Sequence, residues 1–334
     1  MRQKTISYLN LAVMILEEEL PKMTILLLET IDQLGMKMLE DAAMVYLTPS
    51  SDAHAHDLPF GDITAIVTRG LGQIDKELIQ KCPNLKVIAR CGAGLNNLDV
   101  AAAKSCNIPV VYAPGINATA VAEHSLMLML NAVRNGFLTG TEVKNGNWDC
   151  RNNFAGDDLA NKKICIVGTG NIGRKTAALC GVFSENVTLC GRDGQGHLGL
   201  VANLKRCLPE SDVVSLHIPL NEVTRYLFDE QMMSLMKPGA ILINTARGEL
   251  VDENALLKKL DDGHIAAYAA DVVDGEPPEE NHPLIAHRNC FITPHVAALT
   301  KQTYEELCAF TAKNVVAILT NRSPEPISIF GGAA

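Results

Sequence analysis

The stretch Ile164-Cys-Ile-Val-Gly168-Thr-Gly170-Asn-Ile-Gly173 decides the fold of this 334-residue chain. An apolar run breaks into G-x-G-x-x-G, and an amphipathic segment follows. The pattern predicts a strand, a tight turn and a helix start, the arrangement that cradles a dinucleotide pyrophosphate. Gly168 permits the turn, Gly170 lets the pyrophosphate approach the backbone, and Gly173 lets helix and strand pack closely. Asn171 and Ile172 open the helix, whose first N–H groups lack intrahelical acceptors and favour an anion. The motif lies near mid-chain, so a substantial fold is expected on either side of it.

Downstream, strands are expected at Val187 to Cys190, Asp212 to His217, Ala240 to Asn244, Ile265 to Val272 and Cys290 to Thr293. Helices are expected at Asn171 to Val182, Asp229 to Met236 and Asp252 to Leu260. This alternation predicts a doubly wound parallel sheet. Upstream, apolar runs at residues 24–29, 65–68, 85–89 and 108–112 alternate with helical spacing at 31–40, 75–81 and 99–104, a smaller parallel α/β unit. Ala118 to Arg134 reads as one long helix. Its Leu126 to Leu130 stretch is apolar nearly all round, which predicts burial between domains or subunits. A turn at Asn145 to Trp148 is expected to lead into the glycine-motif strand. Helix Lys301 to Leu319 is expected to return to the first unit. The expected fold class is therefore α/β, with two Rossmann-like doubly wound parallel-sheet domains. The substrate-binding domain, smaller and discontinuous, takes residues 23–116 and 302–334. The NAD(P)-binding domain takes 117–301, and 1–22 form an extension.

Composition narrows the function. The length suits two domains of about 150 residues. With 47% hydrophobic but only 4% aromatic residues, the cores should be aliphatic. A net charge of -9 argues against a nucleic-acid partner and against an anionic membrane surface. Ten cysteines without a C-x-x-C pair read as reduced core thiols, with no metal expected, in a cytoplasmic chain. Leu9 to Leu16 is too short to span a bilayer, and Glu17-Glu-Glu19 follows it in place of a cleavage site. Asp52-Ala-His54-Ala-His56-Asp57 reads as a polar surface loop.

Three polar residues follow strand ends, where open α/β sheets bind ligands. Arg247 follows Ile241-Leu-Ile-Asn-Thr245-Ala, Glu276 follows the turn Asp274-Gly, and His295 follows Phe291-Ile-Thr-Pro. Arg247 can pair with a carboxylate through two hydrogen bonds and polarise an adjacent carbonyl. His295 can donate a proton to a developing alkoxide, and Glu276 beside it would stabilise the imidazolium. With hydride from a nicotinamide, these side chains suit reduction of a 2-oxo acid. His217 and Pro219 are expected as walls of the cofactor pocket, with Thr245 beside it. His124 reads as a packing or hydrogen-bonding residue.

The chain resembles the D-isomer-specific 2-hydroxyacid dehydrogenase family in four further blocks, from about Met23 to Ile327. These are Arg90-Cys-Gly-Ala93-Gly94-Leu-Asn-Asn-Leu-Asp99, Asn117-Ala-Thr-Ala-Val-Ala-Glu123-His, Asn244-Thr-Ala-Arg247-Gly-Glu-Leu-Val-Asp252, and Asp271-Val-Val-Asp-Gly-Glu276-Pro-Pro with Ile292-Thr-Pro-His295. The resemblance implies Arg247, Glu276 and His295 as the catalytic triad. It implies that amides around Ala93 and Gly94 hold the substrate carboxylate, and that Asp271 lies near the nicotinamide carboxamide. It implies a homodimer built through the dinucleotide domain, to which the helix from Ala118 and Trp148 would contribute. One departure bears on the cofactor. NAD-using members carry an acid at the end of the second strand, whereas this chain has Cys190-Gly191-Arg192-Asp193. Arg192 could pair with a 2′-phosphate, so NADP is favoured over NAD, although Asp193 could serve if the turn shifts. The expected substrate is glyoxylate or hydroxypyruvate. A short phosphoglycerate dehydrogenase, with Arg90 as a phosphate partner, is a second reading. A dinucleotide-sensing corepressor-like binding protein is a third.

Overall fold

The computed structural model describes residues 23–192 and 196–331. The extension 1–22 and Asp193 lie outside the described residues. The chain divides into two compact units, one of residues 23–116 with 301–331 and one of 117–300.

The first unit runs β1 (Thr24–Leu27), α1 (Gln33–Glu40), β2 (Met44–Leu47), β3 (Ile63–Thr68), α2 (Lys76–Lys81), β4 (Val87–Arg90), α3 (Val100–Ser105) and β5 (Val110–Val111). Its sheet is parallel, in the order β2-β1-β3-β4-β5. β1 and β3 are buried along their whole length, as strands covered on both faces must be. Asp32, Asp75 and Asp99 start the three helices by accepting a backbone N–H with their carboxylates.

The second unit opens with α4 (Ala118–Arg134) and α5 (Gly136–Lys144). It continues through β6 (Ile164–Val167), α6 (Asn171–Cys180), β7 (Val187–Cys190), α7 (His197–Cys207), β8 (Val213–Leu216), α8 (Glu230–Ser234) and β9 (Ala240–Asn244). It ends with α9 (Glu253–Asp261), β10 (Ile265–Ala270), α10 (Pro283–Ala286) and β11 (Cys290–Ile292). Helix α11 (Lys301–Leu319) belongs to the first unit, where it packs on α1. The second sheet is also parallel, in the order β11-β10-β9-β8-β6-β7. In both sheets the strand order reverses beside the unit's first strand, between β1 and β3 and between β6 and β8. Such switch points are where α/β sheets open a ligand crevice.

Several elements differ from the sequence reading. α4 packs at least part of its apolar stretch inside its own unit. Leu128, Met129 and Val133 pack against Ile164, Ile166, Ile241 and Ile243 of their own unit's sheet. The expected turn at Asn145 to Trp148 does not lead directly into β6. Helix α5 precedes it, and a 3-10 segment, Trp148–Asn153, intervenes. α5 buries no residue, so no apolar stripe marked it in the sequence. β2 was also unforeseen, being a four-residue edge strand that is mostly exposed. α7 and α10 were missed as well.

Candidate functional site

The glycine loop connects β6 to α6, and each glycine has its own reason. Gly168 has φ +121, and a Cβ there would lie 2.2 Å from the His217 carbonyl oxygen. A Cβ on Gly173 would lie 2.0 Å from the Gly168 carbonyl oxygen. Gly170 caps α6, and a Cβ there would meet nothing within 4 Å. Among the described residues no side chain caps α6, and no acid stands in its first turn. The geometry fits a dinucleotide pyrophosphate at this helix end.

Around the loop, His217 pairs through Nε2 with Ser215 Oγ at 2.9 Å. Burial pushes its pKa down to about 3, so the ring is neutral. Pro219 is exposed beside it, and Thr245 is buried with its hydroxyl 2.8 Å from Ser125 Oγ. At the end of β7, Cys190 is buried and Arg192 is exposed, with no described carboxylate in the intervening position.

Arg247 is half-buried at the end of the β9 loop. Asn244 shapes that turn, donating from Nδ2 to the Arg247 carbonyl at 2.8 Å and accepting the Ala246 N–H at 3.0 Å. Burial lowers the Arg247 pKa, and the charges of Glu276 and Glu249 oppose that shift. A Cβ on the next residue, Gly248, would lie 1.9 Å from the Val273 carbonyl carbon. The arginine loop and the loop leading to Glu276 are thus in backbone contact.

His295 Nδ1 lies 2.5 Å from Glu276 Oε2. A proton on Nδ1 shared with the carboxylate leaves Nε2 to exchange a proton with another molecule. Glu276 Oε1 also accepts the Val273 N–H at 3.3 Å. The imidazole stands on a tight turn in which His295 itself has φ +53, an uncommon state for a residue with a Cβ. Asp271, only 1% exposed, holds that turn. Its Oδ1 accepts the Val296 N–H at 2.9 Å and the Thr293 hydroxyl at 2.5 Å, and its Oδ2 accepts the Ala297 N–H at 2.8 Å. His124 Nε2 lies 2.9 Å from Thr293 Oγ1, a hydrogen-bonding residue beside the turn. This scaffolding by Asp271 was invisible in sequence, since its partners lie some 25 residues away.

In the first unit, Ala93 and Gly94 are half-buried in the loop after β4. Arg90 folds back over that loop, with Nη1 donating to the Gly94 carbonyl. The histidines of the 52–57 loop part company: His54 Nε2 pairs with Asp75 at 3.1 Å, and His56 Nε2 lies 2.8 Å from Ser50 Oγ. Among the described residues, the one group of side chains close enough to hold a metal is Cys165, Cys190 and Cys207, with sulfurs within 4.8 Å of one another. Sequence spacing did not reveal this trio, because two strands and a helix end bring it together. Also among the described residues, no helix is long and apolar enough to cross a membrane.

Comparison with known proteins gives a consistent picture. Residues 126–297 match the family model described as D-isomer specific 2-hydroxyacid dehydrogenase, NAD binding domain. A glyoxylate reductase from Thermofilum pendens is 33% identical over 303 residues, covering 87% of this chain and 89% of the relative. A D-3-phosphoglycerate dehydrogenase from Methanocaldococcus jannaschii is 32% identical over 91% of this chain, but the match spans only 59% of that protein. The chain spans about half the length of two further phosphoglycerate dehydrogenases, 49% in each case. Among solved structures, a glyoxylate reductase from Paecilomyes thermophila superposes with a TM-score of 0.79 and 28% identity, over 91% of this chain and 97% of that one.

Proposed function

This chain belongs to the D-isomer specific 2-hydroxyacid dehydrogenase family, and from that premise we propose that it reduces small 2-oxo acids with NAD(P)H. Glyoxylate or hydroxypyruvate is the first choice of substrate. The observation that carries the reading is the 2.5 Å pairing of His295 with Glu276, in a loop packed on the one that bears Arg247. Arg247 takes the substrate carboxylate and draws electron density from the neighbouring carbonyl. His295, protonated and steadied by Glu276, gives its Nε2 proton to the oxygen as it becomes an alkoxide. When bound, the nicotinamide supplies the hydride. The Ala93 and Gly94 amides are assigned to the substrate carboxylate. Arg90 is engaged with its own loop carbonyl, which favours a small acid over a phosphorylated one.

The preferred cofactor in this reading is NADP(H), because Arg192 is exposed after a strand end without a described acid. The chain works as a homodimer through its dinucleotide-binding unit. Phe137, Val143, Trp148 and Phe154 lie on or just after α5 and expose large apolar surfaces, which suits a subunit contact. Ten free cysteines support a reducing, cytoplasmic setting. The test is a panel of glyoxylate, hydroxypyruvate, pyruvate and 3-phosphohydroxypyruvate with NADH and NADPH. The reading expects the first two to be reduced best. Arg192→Ala should impair NADPH use selectively, and a kcat/KM about tenfold better with NADH would reject the cofactor preference.

A further inference from the structure

Two residues that never touch His295 grip the loop that carries its partner. Glu253, the first residue of α9, accepts the Asp274 N–H through Oε1 at 2.9 Å. Its Oε2 lies 3.0 Å from His282 Nε2, and both side chains are largely buried, at 16% and 12% exposure. His282 is itself fixed as the N-cap of α10, because its carbonyl accepts the N–H groups of Ile285 and Ala286. Its Nδ1 is buried without a hydrogen-bond partner among the described residues, which leaves the Nε2 contact with Glu253 to hold the ring. From the other side the Tyr226 hydroxyl donates to Asp274 Oδ2 at 2.7 Å. Gly248 presses on the peptide between Val273 and Asp274. Two residues beyond Asp274 stands Glu276.

We propose that Glu253 and His282, with Tyr226, are positioning residues that set the Glu276 carboxylate against His295. The inference rests on the reading of His295 as the proton donor. Removing the Glu253 carboxylate would strand the Asp274 N–H and the His282 Nε2–H, and the loop would relax to find other partners. A displacement of about 1 Å at a reacting group is worth up to about 100-fold in rate. His295 is paired with Glu276, whose charge also acts on Arg247; Asp271 is engaged with backbone amides of the same turn.

The experiment is the pH dependence of kcat in wild type, Glu276→Gln, Glu253→Ala, Glu253→Gln and Tyr226→Phe, alongside dinucleotide affinity. Glu276→Gln removes the charge that stabilises imidazolium, so the histidine limb should move to lower pH. Glu253→Ala should move it in the same direction by less and lower kcat about 10- to 100-fold, with dinucleotide affinity held within about threefold. Glu253→Gln keeps an acceptor for the Asp274 N–H and should restore most of kcat. Tyr226→Phe loses only a partly exposed hydroxyl, so it should fold and displace the limb slightly even if Glu253→Ala does not fold. A limb that moves in Glu276→Gln but in neither Glu253→Ala nor Tyr226→Phe overturns the positioning role alone. A limb unmoved by Glu276→Gln overturns the reading of His295 instead.

Discussion

The two units share a strand order but close their switch points in opposite ways. In the first, the crevice between β1 and β3 is filled by the protein's own carboxylate. Glu29, 8% exposed, accepts the Gly70 N–H at 3.0 Å, the Gly72 N–H at 2.6 Å and the Thr68 hydroxyl at 2.9 Å, with Arg69 Nε at 3.5 Å. These hydrogen bonds and the Arg69 charge outweigh burial and hold the Glu29 pKa below the usual carboxylate range. Helix α1 beside it is capped by Asp32. In the second unit the equivalent helix, α6, starts at Gly170 with no side-chain cap, and its neighbour strand ends in a neutral His217. The first switch point therefore satisfies its loop amides with an internal carboxylate, whereas no described side chain caps α6 at the second. With the strand order shared, the helix start is what separates the two switch points: a carboxylate at α1 and a glycine at α6.

The comparison breaks most sharply if the second switch point is made to resemble the first. Gly170 has φ -76, so an aspartate fits its backbone. A carboxylate about 4 Å from a phosphate costs about 4 kcal/mol at an effective dielectric of about 20. Gly170→Asp should therefore weaken dinucleotide binding at least about 100-fold by calorimetric titration, while the new cap leaves folding stability equal or slightly raised. Unchanged affinity would show that the α6 terminus is not the pyrophosphate site. The converse change empties the first switch point. Glu29→Ala strands the Gly70 and Gly72 N–H groups and removes the carboxylate that pairs with Arg69, and should cost about 3 kcal/mol in urea unfolding. A loss below about 1 kcal/mol would mean that solvent satisfies that loop equally well.

The smallest effect is read from pH. His217 titrates near 3 in the fold and near 6.5 when unfolded. Between those values the unfolded chain binds one more proton, so stability falls as pH drops, by about 1.4 kcal/mol per pH unit from this residue. His217→Gln should flatten the acid slope of wild-type stability by that amount. Equal slopes in the two proteins would mean that His217 is not held neutral.

Much of this was legible in the sequence because it is local. The glycine loop, the long helix from Ala118 to Arg134, and the strand ends bearing Arg247, Glu276 and His295 are each written in fewer than 20 residues of periodicity and turn chemistry. What was not legible depends on distant partners. Glu29 reads as the end of a buried strand, and only the approach of Gly70 and Gly72 from the loop after β3 makes it an internal anion. Asp271 holds the turn that presents His295 through both its oxygens, on partners 25 and 26 residues away. α5 escaped notice because a helix that buries nothing has no hydrophobic period to read.

The central claim is that His295 protonates the carbonyl oxygen of a 2-oxo acid in this unit. Steady-state oxidation of NADPH and NADH by glyoxylate and hydroxypyruvate, in wild type and His295→Ala, tests it most directly. The account predicts turnover by wild type, a loss of about 100- to 10,000-fold in kcat in the variant, and nearly unchanged dinucleotide affinity. Wild-type turnover by His295→Ala would contradict it, as would a wild-type protein that binds the dinucleotide and reduces no 2-oxo acid.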